Sequence, residues 1–166
     1  MILAIDPGNI ESAYCIIDKN SYKPIEFAKV DNNDLRDKLL NDIKFYPIDT
    51  LVIEMIASYG MPVGKEVFDT CVWIGRIMEC FKCPFTYFIY RKEEKMNLCG
   101  SMKAKDSNIR QALIDRFAQF DFKNGKGTKK EQDFFYGFSK DIWAAYAVGI
   151  TWLDKQKQIE KELFKV

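Results

Sequence analysis

Hydrophobic and polar positions alternate along this chain in a way that changes period several times. Met1–Ile5 is an unbroken apolar run. Ser12–Asp18 (SAYCIID) and Pro24–Val30 (PIEFAKV) are strand-like and are separated by turn-forming residues around Asn20. These three segments predict an antiparallel meander. Asn33–Ile43 carries Leu35, Leu39, Leu40 and Ile43 on one helical face. Thr50–Met55 (TLVIEM) reads as a buried strand, and its continuous apolar character suits the centre of a sheet. Pro62–Cys80 reads as a long helix, with Phe68, Cys71, Val72, Gly75 and Met78 at three- and four-residue spacing. Phe85–Tyr90 (FTYFIY) is a β-branched and aromatic strand. Asp106–Phe120 is an amphipathic helix with Ile109, Leu113 and Phe117 in register. Lys123–Lys130 (KNGKGTKK) reads as a basic flexible loop, and Ser139–Phe164 as a closing helix capped by Ser139.

The predicted order is β-β-β-α-β-α-β-α-α. Three antiparallel strands followed by alternating strands and helices imply an α/β fold, a mixed five-stranded sheet covered by helices on both faces. Neither a repeat nor a Pro/Gly/Ser linker divides residues 1–166, which predicts a single domain. No apolar run approaches the roughly 20 residues of a membrane span. MILAIDPG meets an acid at Asp6 and reads as a short strand, not a signal peptide. The expectation is a soluble intracellular protein with no membrane partner.

Composition narrows the chemistry. The chain contains no histidine, which excludes Ser-His-Asp and Cys-His nucleophile systems, H-E-x-x-H zinc sites and any histidine base. Five cysteines without an export signal predict reduced thiols. Cys80 and Cys83 form a C-x-x-C, but no second ligand pair stands at useful spacing. The better reading is two small apolar residues where a helix runs into a strand. An enzyme of this composition works with carboxylates, lysines, thiols or a metal held by oxygen. The net charge of +1 says little about partners until it is divided. Between Arg91 and Lys130 there are 11 Lys/Arg and 5 Asp/Glu, against 14 and 19 in the remainder. A basic third on an acidic protein is a footprint for phosphate contact.

Three acids stand where an acid costs stability. Asp6 ends the first apolar strand, Glu54 lies inside Leu-Val-Ile-Glu-Met-Ile, and Asp141 starts the apolar run that follows it. Alone, Asp6 in Asp-Pro-Gly is equally a turn residue or a ligand, and Asp141 is better read as a helix N-terminal charge. Together, three hard oxygen donors converging at a sheet edge make a Mg²⁺ site.

Met1–Asp18 (MILAIDPGNIESAYCIID), Thr50–Glu54 and Asp141–Trp152 (DIWAAYAVGITW) resemble, in order and spacing, the opening strands, acidic strand and closing helix of RuvC-like Holliday-junction resolvases. The likeness is greatest to the bacteriophage-encoded branch. It implies an RNase H-like fold of the retroviral-integrase superfamily, and a homodimer that resolves Holliday junctions and other branched DNA with paired nicks. It also implies Mg²⁺-dependent phosphodiester hydrolysis, with two ions per active site, Mn²⁺ as a substitute, and Asp6, Glu54 and Asp141 as the catalytic, metal-binding carboxylates. Location in the cytoplasm of a bacterial host follows from a phage origin. Two positions depart from the family. The second acid of the closing helix is replaced by Ala144, with Asp133 the nearest upstream substitute. The aromatic that wedges into the junction falls at Ala57, where Tyr59 or Met61 is the replacement. Another RNase H-like nuclease, acting on RNA–DNA hybrids or forks, and an inactive branched-DNA-binding module are the alternatives.

For DNA contact, YRKEEK (90–95) and GSMKAK (100–105) set basic residues beside a strand end and a helix start. Lysines at a helix N-terminus bind phosphate well. Lys95, Lys103 and Lys105 are the choices, with Tyr59 beside them. The resemblance places Lys95 at the family's catalytically important lysine and Lys105 within one residue of another. It also places the Pro62–Cys80 helix, with Phe68, Trp73 and Met78, at the dimer interface; otherwise those side chains are core.

Overall fold

The computed structural model describes residues 1–58 and 60–164. Its sheet has five strands: β1 (Ile2–Asp6), β2 (Glu11–Ile17), β3 (Pro24–Asp31), β4 (Thr50–Met55) and β5 (Phe85–Tyr90), in the order β3-β2-β1-β4-β5. β1, β2 and β3 pair antiparallel, while β4 and β5 run parallel to β1. Among the described residues the α-helices are α1 (Asn32–Asn41), α2 (Lys65–Cys80), α3 (Arg91–Cys99), α4 (Asp106–Phe117) and α5 (Lys140–Leu163), with a 3₁₀ turn at Ile43–Phe45.

The apolar strands are explained by burial on both faces. Successive side chains of β1 go to opposite cores: Ile2 and Ala4 join Val52, Trp143 and Ala147 under α5, while Leu3 and Ile5 join Leu35, Leu39, Ile74 and Ile77 under α1 and α2. The small residues of α5 let it lie close to the sheet. A Cβ on Gly149 would meet Ile17 Cδ1 at 2.4 Å and Ala4 Cβ at 3.0 Å. The N-terminal half of α5 is anchored by an aromatic cluster in which the Phe135 and Trp143 rings are 4.4 Å apart.

The structure corrects the sequence reading in five places. A helix, α3, occupies 91–99 where no element was expected; its charged sequence hides a face whose buried member is Glu94. α2 starts at Lys65, after an extended Gly64, and buries Thr70, Ile74 and Ile77. Phe68, Cys71 and Val72, expected on the packed stripe, are exposed, Phe68 by 61% and Val72 by 55%. α4 stops at Phe117 because the next backbone amides, those of Gln119, Phe120 and Asp121, turn to the Asp133 carboxylate. The 123–130 segment is not a free loop. Asp121 accepts from the amides of Asn124, Lys126 and Gly127, and a Cβ on Gly127, at φ 66°, would collide with the Glu131 carbonyl. Ser139 holds the N-cap position of α5, but its side chain makes no capping hydrogen bond.

Candidate active site

The carboxyl ends of β1, β4 and β5 lie along one edge of the sheet, the usual position of sites in open α/β sheets. The β1–β4 register pairs Ile5 with Ile53, so Asp6 and Glu54 follow side by side. The loop after Asp6 is fixed: Gly8 N–H donates to Ser12 Oγ at 3.2 Å, Ser12 Oγ–H to Asn32 Oδ1 at 2.5 Å, and Asn32 Nδ2 to the Gly8 carbonyl at 2.9 Å. A Cβ at Gly8 would meet the Glu11 carbonyl oxygen at 2.3 Å, so the Asp-Pro-Gly sequence serves this turn as well. Asp141, in the first turn of α5, lines the same cavity, of about 740 Å³. Lys29 on β3 bridges Asp141 Oδ2 at 2.8 Å and Glu11 Oε2 at 2.9 Å.

The electrostatics are those of crowded carboxylates. Burial first, and then the charge of Glu54, pushes Asp6 up to about 8, with Asp141 adding to the rise and Arg91 opposing it. Burial also raises Glu54, against the pull of Arg91 and the hydrogen bond from Asp6. Two groups missed by the sequence reading complete the site. Arg91, at the start of α3, lines the cavity; its Nη1 donates to Glu94 Oε2 at 2.6 Å and its Nη2 to Asp106 Oδ1 at 2.5 Å. Glu94 is 0% exposed and is pushed up to about 9 by burial and by the charge of Glu54. The signal for both was a charged helix directly after a strand that ends at the site edge.

The same cavity also has basic lining. Arg110, Lys123, Lys126 and Lys140 line it, and Arg110 stacks over Trp143 at 5.0 Å. Of the expected DNA-binding residues, Lys95 is half-buried on α3, and Lys103 and Lys105 are exposed near the start of α4; none of the three lines this cavity. Lys103 lines a separate depression with Cys99, Ala112 and Asp115. Tyr59 lies outside the described residues. Ala57 lines a smaller pocket with Asp6, Pro7, Glu54 and Arg91, and Met61 is exposed. Asp133 does not substitute for an acid at Ala144. Against a burial that would raise it, the amides of Gln119, Asp121, Phe120 and Phe134 hold its carboxylate down to about 2, so it belongs to the loop.

The acids supply hard oxygen donors of the kind that fit a divalent ion, with Arg91 a cation beside them. Among the described residues no three side chains already converge closely enough to cage one. Cys80 and Cys83 instead pack against the α1–α2 side of the core, where burial raises both thiols.

Sheet order, strand directions and helix placement are those of the RNase H-like fold in its RuvC-like form. No protein-family model matches the chain, and no curated protein does. Solved structures do. Thermus thermophilus RuvC in complex with a Holliday junction substrate superimposes with a TM-score of 0.67 at 10% identity, covering 94% of each chain. Thermus thermophilus RuvC gives 0.66 at 12% identity, over 95% of this chain and 96% of that one. The yeast mitochondrial Holliday junction resolvase gives 0.59 at 15% identity, over 96% and 80%. At these identities the likeness establishes the fold. Among the described residues no helix is long and apolar enough to cross a membrane.

Proposed function

We propose that this chain is a divalent-metal-dependent endonuclease that resolves four-way DNA junctions, and that it belongs with the phage-encoded resolvases. The observation that carries the reading is one cavity lined both by Asp6, Glu54 and Asp141 and by Arg110, Lys123, Lys126 and Lys140. Acids that repel one another at a sheet edge are a poor structural choice and a good Mg²⁺ site. Bound Mg²⁺, with Mn²⁺ as substitute, supplies activation of a water for attack on phosphorus and neutralises charge at the leaving 3′ oxygen.

The chain's own groups do the rest. Asp6, Glu54 and Asp141 would hold the ions, and Lys29, 2.8 Å from Asp141 Oδ2, fixes that carboxylate at the start of α5. The basic wall takes the phosphates on either side of the scissile bond, with Arg110 held flat by Trp143. Lys95 and Lys105 extend this basic surface along α3 and the start of α4. Paired nicks need two equivalent sites, so the active form is a homodimer. The exposed Phe68 and Val72 of α2 supply an apolar face for it.

The deciding experiment incubates the purified protein with a labelled four-way junction, with and without Mg²⁺. Symmetric Mg²⁺-dependent nicks are expected, with weaker cutting of forks and three-way junctions. Junction binding without cutting at any divalent-ion concentration would make the chain a branched-DNA-binding module, the reading favoured by Ala144. Cutting confined to RNA–DNA hybrids by a monomer would make it another RNase H-like nuclease.

A further inference from the structure

The three parallel strands β1, β4 and β5 each deliver an acid to the same edge. Asp6 closes β1, Glu54 stands one residue from the end of β4, and Glu94 follows β5 within the first turns of α3. Glu94 has surroundings unlike those of the other two. Its side chain is fully buried, its Oε2 accepts from Arg91, and its Oε1 has no hydrogen-bond partner. A carboxylate oxygen buried without a donor is costly and calls for a reason.

Arg91, whose Nη1 donates to Glu94 Oε2 at 2.6 Å, lines a pocket together with Asp6 and Glu54. The charges of Glu54 and Asp6 raise Glu94, and that of Arg91 opposes them. The missing donor therefore lies where negative charge is already concentrated, a deficit that a cation fills. Arg91 supplies one positive charge, shared among Glu94, Asp106 and Glu54. On α5, one turn after Asp141, Ala144 lines the cavity and contributes no ligand.

We propose that Glu94 is a fourth carboxylate of the divalent-ion site, supplied by α3 in place of an acid on α5. The inference rests on the metal-dependent reading above. Arg91 holds Glu94 through Oε2, and the unpartnered Oε1 would be the oxygen that takes the ion beside Asp6 and Glu54.

The test is Mn²⁺ titration of the purified protein by calorimetry, with thermal melting in parallel and no DNA present. Glu94→Gln keeps the volume and an acceptor for Arg91 while removing the charge. Its Mn²⁺ affinity should fall roughly tenfold or more, and the ion-induced rise in melting temperature should shrink with it. Melting of the ion-free variant should be unchanged or higher, an outcome that a purely structural role for Glu94 does not give. Wild-type affinity in E94Q overturns the proposal and leaves Asp6, Glu54 and Asp141 as the site. A wild-type protein that binds no Mn²⁺ at all overturns both readings. If E94Q does not fold, Glu94→Asp carries the same test, with weakened binding expected and undiminished binding overturning the proposal.

Discussion

Asp6 and Glu54 lie side by side one position beyond the Ile5–Ile53 pair, where the charge of Glu54 adds to burial in raising the Asp6 carboxyl. Parallel pairing of β1 and β4 makes this unavoidable: two strands starting in register bring their fifth residues to the same edge together. The antiparallel neighbour β2 contributes no acid there, since Ala13 opposes Asp6. The third acid, Asp141, comes from a helix whose small residues let it lie close against β1 and β2. The site is thus a product of sheet direction and helix approach.

On the proposed function, neutralising any one of these acids takes away an oxygen ligand and leaves the basic lining of the cavity in place. Asp6→Asn, Glu54→Gln and Asp141→Asn should each lower Mg²⁺-dependent junction cutting by roughly a hundredfold or more. Gel-shift binding to the same junction should be retained or improved. A Glu54→Gln protein that cuts within a few-fold of wild type removes Glu54 from the site.

Without divalent ions, Asp6 at about 8 and Glu94 at about 9 hold protons that their unfolded forms have lost. Both folded values lie above the ordinary 3.8 and 4.5, so the folded state binds more protons throughout that interval. The protonated groups impose no penalty at about pH 4, and stability falls as pH rises towards about 9. Melting of the ion-free protein should therefore be higher at about pH 5 than at about pH 9. Asp6→Asn should flatten this dependence, and saturating Mg²⁺ should reduce it, since ligation favours the deprotonated forms. A melting temperature that climbs between those two pH values without metal contradicts the buried-acid geometry.

Much of this arrangement was legible in the residue order. Continuous apolar strands betrayed a sheet covered on both faces, and the absence of histidine together with acids inside those strands pointed to oxygen ligands. What stayed hidden had a physical cause. The 91–99 helix has little apolar periodicity, because its buried member is Glu94. The apolar stripe of α2 misled because that helix carries two apolar faces, and the one bearing Phe68 and Val72 is exposed. Asp133 resembled a spare ligand because a loop carboxylate that gathers backbone amides leaves no periodic mark.

Asp133 gives a stability prediction that separates it from Asp6, Glu54 and Asp141. Its two oxygens accept from the amides of Gln119, Phe120, Asp121 and Phe134 at 2.6–3.0 Å. Asp133→Ala leaves these donors to find other partners, which should cost about 2 kcal/mol or more of stability. Mn²⁺ affinity measured well below the melting point should change little. Lost ion binding in a folded Asp133→Ala protein would return this residue to the site.

The last prediction concerns which cations meet DNA. Backbone contacts release counterions, so log affinity should fall linearly with log salt, and each phosphate-contacting lysine contributes about one unit of slope. Lys126 lines the acidic cavity, and its amide is tied to Asp121, so its position relative to the acids is set by the folded loop. Lys103 is exposed on a separate depression. Lys126→Ala should therefore flatten the salt dependence of junction binding by about one unit. Lys105→Ala should do so to a comparable degree if DNA continues over the start of α4, while Lys103→Ala should have the smallest effect of the three. Fluorescence-anisotropy titrations over a range of KCl concentrations measure all of these slopes. If Lys103→Ala flattens the slope more than Lys126→Ala, the DNA runs along the outer side of α4 and the basic cavity wall is not its path.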